Sequence, residues 1–226
     1  MFLQMSKRLN CFYREWTDNV IKTVLWDFDG VILDSMRVRD YGFRTIFQEF
    51  PKETVESFIR YHRYHGGLSR FHKIRYFFEE MLHQPIDEKR ILLYADRFSD
   101  IMKEQLIDPA YLIGQSVAYI KKYYDLYRFH IVSGSEEKEL NYLCRHLGIA
   151  HYFQTIQGSP TPKTELVRNL ILSHGYDPDE TILIGDSIND HDAARRNGIR
   201  FYGFNNDALK PDADYYIEDF KDLYLS

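Results

Sequence analysis

The stretch Val24-Leu25-Trp26-Asp27-Phe28-Asp29-Gly30 limits what this chain can fold into more than any other. An apolar run closed by a glycine reads as a short, buried strand of a parallel sheet. Its carboxyl end carries acids at i and i+2, Asp27 and Asp29, and Gly30 lets the backbone turn directly after them. Open α/β sheets bind ligands at that edge, beyond the carboxyl ends of their strands. Taken alone, D-x-D-G is as compatible with a capped turn as with chemistry, so its weight depends on what the rest of the chain brings beside it.

Three later segments repeat the pattern of a strand running into polar residues. Arg128 to Val132 reads as a strand ending at Ser133-Gly134-Ser135, and the following helix has Glu136 and Glu137 in its first turn, with Ser135 as its N-cap. A short strand from Tyr152 to Ile156 precedes Thr161 and Pro162, which suit the N-cap and first position of a helix and put Lys163 in its first turn. Thr181 to Gly185 is the clearest strand and ends in Asp186, with Asp190 four residues on. A helix near 190–197 closes at Gly198, and Arg200 to Phe204 supplies the last core strand. Alternating strands and helices predict an α/β, Rossmann-like parallel sheet with helices on both faces.

Between Ser35 and Ile113 that alternation is missing. Phe43, Ile46, Phe47 and Phe50 keep helical spacing up to Pro51; Val55, Phe58, Ile59 and His62 begin a second face that breaks at Gly66-Gly67. Ser69 caps a third helix with Phe71, Ile74, Phe78 and Met81, and Ile91, Ala95, Phe98 and Met102 mark a fourth. The expected organisation is therefore a core of residues 1–35 and 113–226, with 1–20 as an N-terminal extension, and an inserted helical cap at 36–112. Phe2, Leu3, Leu9, Phe12, Tyr13 and Trp16 give the extension roughly helical spacing.

Net charge of −5 argues against a general nucleic-acid binder. Two cysteines, Cys11 and Cys144, are too few for a disulfide framework, and no apolar run is long enough for a membrane span. Reduced thiols in a cytoplasmic protein are expected.

In a parallel sheet the four loops carrying Asp27 and Asp29, Ser133 to Ser135, Lys163, and Asp186 with Asp190 lie on one edge. Carboxylates gathered there repel one another, and an all-oxygen donor set favours Mg²⁺, which takes one or two carboxylates and a substrate phosphate. The Ser133 hydroxyl, the Gly134 and Ser135 amides at a helix start, and the Lys163 ammonium suit a phosphate dianion.

With these segments in this order, the chain resembles the haloacid dehalogenase superfamily of aspartate-nucleophile phosphatases. The resemblance rests on Asp27-Phe28-Asp29-Gly30-Val31, Ile131-Val132-Ser133, Lys163, and Gly185-Asp186-Ser187-Ile188-Asn189-Asp190, and covers roughly residues 22–220. It implies that Asp27 attacks phosphorus and Asp29 serves as acid and then base, its pKa raised by crowding. It also implies that Ser133, Gly134 and Lys163 bind the phosphoryl group, and that Asp27, Asp29 through its backbone carbonyl, Asp186 and Asp190 hold Mg²⁺. Asp34 and Ser35 match the usual ending of the first motif, with a turn and hinge role. The second acid, Asp29, favours phosphate esters over dehalogenation.

The insert resembles the helical cap of the family's first class, which suits a small phosphorylated metabolite, a sugar phosphate or similar, as substrate. Within it Arg60, His62, Arg63, His65, Arg70, His72, Lys73 and Arg75 form a basic stretch without an intervening acid. Such a stretch is either a solvated face or, through the Gly66-Gly67 break, a loop offering His65, Ser69 or Arg70 to the substrate. A phosphomutase of the same superfamily and a non-catalytic phosphate-binding regulator are the alternative functions; oligomeric state is open.

Overall fold

The computed structural model describes residues 20–225. The expected N-terminal helix and Cys11 lie outside the described residues. Six parallel strands form one sheet in the order β3-β2-β1-β4-β5-β6. They are β1 (Thr23–Trp26), β2 (Arg128–Glu136), β3 (Thr155–Ser159), β4 (Thr181–Gly185), β5 (Arg200–Phe204) and β6 (Tyr215–Ile217).

Strand alternation divides the apolar residues between two layers. Val24 and Trp26 of β1 and Ile182 and Ile184 of β4 face one layer, which includes Val117 and Ile120 of α5 (Gly114–Tyr123) and Leu140, Leu143 and Cys144 of α6 (Glu137–His146). Leu25 and Leu183 face the other, against Leu166, Val167 and Leu170 of α7 (Lys163–His174) and Ala193 and Ala194 of α8 (Ile188–Arg196). Helices thus cover both faces, as such a sheet requires.

The elements between β1 and α5 are all helical: α1 (Met36–Ile46), α2 (Lys52–Tyr64), α3 (Arg70–Tyr76) with a π-helical turn over Phe77–Met81, α4 (Glu88–Gln105) and a 3₁₀ turn at Pro109–Tyr111. Phenylalanines bind them together; Phe47 stacks on Phe77 with centroids 3.9 Å apart, and Phe43 meets Phe98 at 4.3 Å. The chain leaves the sheet and returns to it through one pair of neighbouring segments. Leu33 and Leu112 form an antiparallel bridge, the Asp34 amide donates to Tyr111 at 2.8 Å, and the Ile113 amide donates to Ile32 at 2.9 Å.

Several boundaries differ from the sequence expectation. α1 ends at Ile46 rather than running to Phe50. β3 starts at Thr155 because Ala150–Tyr152 forms a 3₁₀ turn. Pro162, not Thr161, occupies the N-cap of α7, so Lys163 is its first residue. β6, three residues long, gives too little pattern to be read from sequence.

Candidate active site

Asp27 follows directly on β1, and its amide donates to the Ile184 carbonyl of β4 at 2.9 Å, fixing it at the sheet edge. Gly30 then turns the chain with φ of 78°, and a Cβ there would stand 1.9 Å from Oδ2 of Asp186. The turn therefore needs glycine both for its dihedral and for the approach of that acid.

Asp27, Asp186 and Asp190 each offer a carboxylate oxygen within 4.8 Å of the others. Lys163 is buried among them, with Nζ 2.7 Å from Oδ1 of Asp27 and bonded to Oδ1 of Asp190. The other oxygen of Asp190 accepts from the Ser187 amide at 3.0 Å and its hydroxyl at 2.7 Å, which caps α8. Both oxygens of Asp190 are thus engaged within the chain, which leaves Asp27 and Asp186 as the less committed acids.

Burial, reinforced by the Asp190 charge, pushes the Asp27 carboxyl up to about 7 against the pull of Lys163. Burial and Asp27 likewise raise Asp186 well above the ordinary carboxylate range. Burial would lower Lys163, but the Asp190 and Asp27 carboxylates hold its ammonium above the usual value. Acids crowded so that ionisation is opposed, with oxygen donors only, fit a hard divalent cation.

Asp29 turns away from this cluster. Burial raises its pKa, but the Arg39 guanidinium, with Nε 2.7 Å from Oδ1, and the hydroxyls of Ser135 and Ser35, each at 2.5 Å, bring it below the ordinary value. The expectation that crowding raises Asp29 is therefore corrected: its neighbours are a cation and donors, not acids. Ser35, assigned to a turn and hinge, also donates to this carboxylate.

β2 continues through Ser133, Gly134 and Ser135 to Glu136, and Glu136 caps α6 by accepting from the Lys138 and Glu139 amides. The Gly134 and Ser135 amides accordingly do not open a helix, and Ser135 is not an N-cap. The Ser135 amide instead donates to Ser133 Oγ at 3.1 Å.

Asp27, Asp29, Asp186, Ser133 and Gly134 line a cavity of about 30 Å³ closed on its other side by Arg39, Phe43, His62, Arg70, Lys73 and Phe98. That volume admits a water or two, not an organic phosphate. The Gly66-Gly67 break does reach the core: a Cβ on Gly134 would lie 2.4 Å from the Gly67 carbonyl oxygen, so backbone meets backbone there. Beyond this contact lies a second cleft of about 310 Å³, lined by Ser69, His72, Lys163, Asn189 and Arg196 among others.

The basic stretch divides in two. Arg60, Arg63 and His72 are exposed, and Arg75 pairs with Glu79 and Glu88. His62, Arg70 and Lys73 are buried at the cavity. Of the three suggested substrate contacts, Arg70 lines the cavity, whereas Ser69 caps α3 beside the second cleft and His65 packs against Tyr61 and Tyr64 and lines neither.

Sequence reasoning missed Arg39, Lys73 and Glu139. Glu139, fully buried on α6, is 2.5 Å from Arg70 Nη1 and 3.4 Å from Arg39 Nη1. Lys73 Nζ donates to His62 Nδ1 at 2.9 Å and to the Gly66 carbonyl at 3.1 Å. The available signal was that Arg70 and Lys73 share a helix face with buried Ile74 and Phe77.

Known proteins are similar to this chain over most of its length. Residues 24–204 match the model of the haloacid dehalogenase-like hydrolases. YhcW of Bacillus subtilis (strain 168), named as a phosphatase, is 25% identical over 187 residues, covering 80% of this chain and 82% of that protein. Among solved structures, β-phosphoglucomutase from Clostridium difficile superposes with a TM-score of 0.72 at 17% identity, over 90% of this chain and 93% of that one. The Bacillus subtilis hydrolase YfnB, bound to magnesium, superposes with 0.68 at 18% identity, over 91% and 97%. At such identities the structures share the fold. Among the described residues no helix is long and apolar enough to cross a membrane. The family match, from the second residue of β1 to the end of β5, includes every loop that carries an acid, serine or lysine of the site, and by it the chain belongs to the haloacid dehalogenase-like hydrolases.

Proposed function

We propose that the protein is a Mg²⁺-dependent, cytoplasmic phosphatase that hydrolyses a small organic phosphate monoester through a phosphorylated Asp27. The observation that carries this reading is the buried contact between Asp27 and Lys163 at 2.7 Å beside Asp186, which joins a carboxylate nucleophile to a cation suited to phosphoryl oxygens.

Asp27 attacks phosphorus in line while the Ser133 hydroxyl, the Gly134 amide and the Lys163 ammonium donate to the phosphoryl oxygens. Asp29 protonates the departing alkoxide, and then takes a proton from the water that hydrolyses the acyl phosphate. The ionised form favoured by Arg39 suits the second of these steps; for the first, Asp29 has to gain a proton as substrate enters. Asp27, Asp186 and the Asp29 carbonyl would hold Mg²⁺, with Asp190 supporting Lys163 and the α8 cap. When bound, the ion would offset the repulsion among the acids and polarise the phosphoryl group.

Helices between residues 36 and 112 act in this reading as a cap. The cavity of about 30 Å³ is too small for substrate, so entry requires the Gly67–Gly134 contact to part.

The test is phosphate release from a panel of small esters with Mg²⁺, with EDTA, and with Asp27→Asn. Metal-dependent release that falls by about 10⁴-fold or more in the variant is expected. Release that survives Asp27→Asn would overturn the reading, and isomerised product without release would move it to a mutase.

A further inference from the structure

The helical wall of the cavity carries more positive charge than the chain neutralises. Arg39, Arg70 and Lys73 line it, and every acid that lines the cavity, Asp27, Asp29 and Asp186, comes from the sheet side. Arg39 and Arg70 are matched by Asp29 and Glu139. Lys73 has no carboxylate partner among the described residues; it rests on neutral His62 and a carbonyl.

Donors are also left over. Nη2 of Arg39 and Nη2 of Arg70 are buried without a hydrogen-bond partner, in side chains only 7% and 3% exposed. A buried guanidinium nitrogen without a partner in the protein calls for one from elsewhere, and here two such nitrogens belong to arginines that line one cavity. Burial, with Arg39 nearby, pushes the Lys73 ammonium down to about 7, as expected of a cation lacking its counter-ion. Phe43 and Phe98 also line that wall, and Phe98 lies 4.6 Å beneath the Arg70 guanidinium, holding it in place.

We propose that this wall binds a second anionic group of the substrate, a carboxylate or a second phosphate on the alcohol portion, through Lys73 and the free Nη2 groups of Arg39 and Arg70. The inference rests on the phosphatase reading for where the first phosphoryl group sits. Because Arg39 directly touches Asp29, the proposed acid for the leaving oxygen, the second anion lies only a few atoms from the ester oxygen. The substrate class is therefore a short phosphate monoester with two anionic ends. Glu139 is a positioning residue: it holds Nη1 of each guanidinium and leaves Nη2 for ligand.

Three non-hydrolysable ligands of equal length test this: propylphosphonate, 3-phosphonopropanoate and ethane-1,2-bisphosphonate, titrated calorimetrically into the full chain with Mg²⁺. At least one dianionic-ended ligand is expected to bind about ten-fold or more tightly than propylphosphonate, consistent with a charge-assisted contact. Which of the two binds tighter identifies the second anion. Lys73→Met should erase most of that preference while leaving propylphosphonate within about two-fold of its original Kd.

Equal affinities for the three ligands, or binding of none at millimolar concentration, would overturn the proposal without recourse to any variant. So would a preference that persists in folded Lys73→Met and Arg70→Met proteins. Phosphate release is scored separately: turnover of esters with indiscriminate phosphonate binding defeats only the second-anion site, whereas discriminating binding without turnover of any ester defeats only the phosphatase reading.

Discussion

Two charged clusters face each other across the cavity, and they are balanced differently. At the sheet edge Asp27, Asp186 and Asp190 surround a single cation, Lys163, so negative charge is in excess. On the helical side Arg39 and Arg70 share Glu139, and Arg39 also holds Asp29, so these four charges cancel. The first cluster needs a cation from solution before its acids can all ionise. The second pairs its arginines within the chain and so ties α1 and α3 to α6, but leaves Lys73 and the Nη2 of each arginine without a carboxylate among the described residues. Burial of charge thus serves ligand binding alone on one side, and attachment of the helices together with ligand binding on the other.

Removing Glu139 probes the attachment most directly. Glu139→Ala leaves two buried guanidiniums short of a carboxylate, and unfolding free energy should drop by about 3–5 kcal/mol in urea denaturation. A loss under ~1 kcal/mol would mean that the arginines are held by their other contacts.

The sheet-edge cluster should answer to metal instead. Mg²⁺ at a hundred times its Kd should stabilise the fold by about 2.7 kcal/mol. The sign of its pH dependence follows from Asp27. Between the ordinary carboxyl value of 3.8 and about 7 the folded chain keeps a proton that the unfolded chain has lost. Metal-free stability therefore falls as pH rises through that window, and Asp186, also raised, adds to the fall. Melting curves from pH 4 to 8 should slope downward without Mg²⁺ and flatten with it; identical curves would remove the grounds for a cation site.

A smaller effect sharpens the boundary between the clusters. Arg39→Met removes the charge that lowers Asp29, so that carboxyl should rise and carry the corresponding limb of the kcat/KM profile to higher pH with it. An unmoved profile would show that Asp29 does not set that limb.

The same contrast explains what could be read from sequence. Asp27, Asp29 and Gly30 are legible because a strand end, a two-residue spacing and one glycine dihedral fix them locally. Lys163 and Asp186 follow from the same rule at later strands. Glu139 and Arg39 are 100 residues apart, and Glu139 and Arg70 are 69 apart, so only packing of α1, α3 and α6 brings them together. The continuation of β2 through Ser135 was hidden for another reason: Ser-Gly-Ser before two glutamates has the composition of a helix start, and pairing of Glu136 with Ser159 of β3 overrides it. Lys73 looked like part of a solvated basic run because charge spacing alone does not show which helix face is covered.

The paired crossings at Leu33 and Leu112 bear on chain entropy. The segment between them starts and finishes at one bridged position, so closing that loop is a cost met once by the Leu33–Leu112 contact and its flanking hydrogen bonds. Loop-closure entropy grows only logarithmically, by about 0.6 kcal/mol for each doubling of length. Helices beyond the bridge can consequently lengthen, shorten or be replaced with little penalty to the register of β1, while the acids that follow that strand stay where they are.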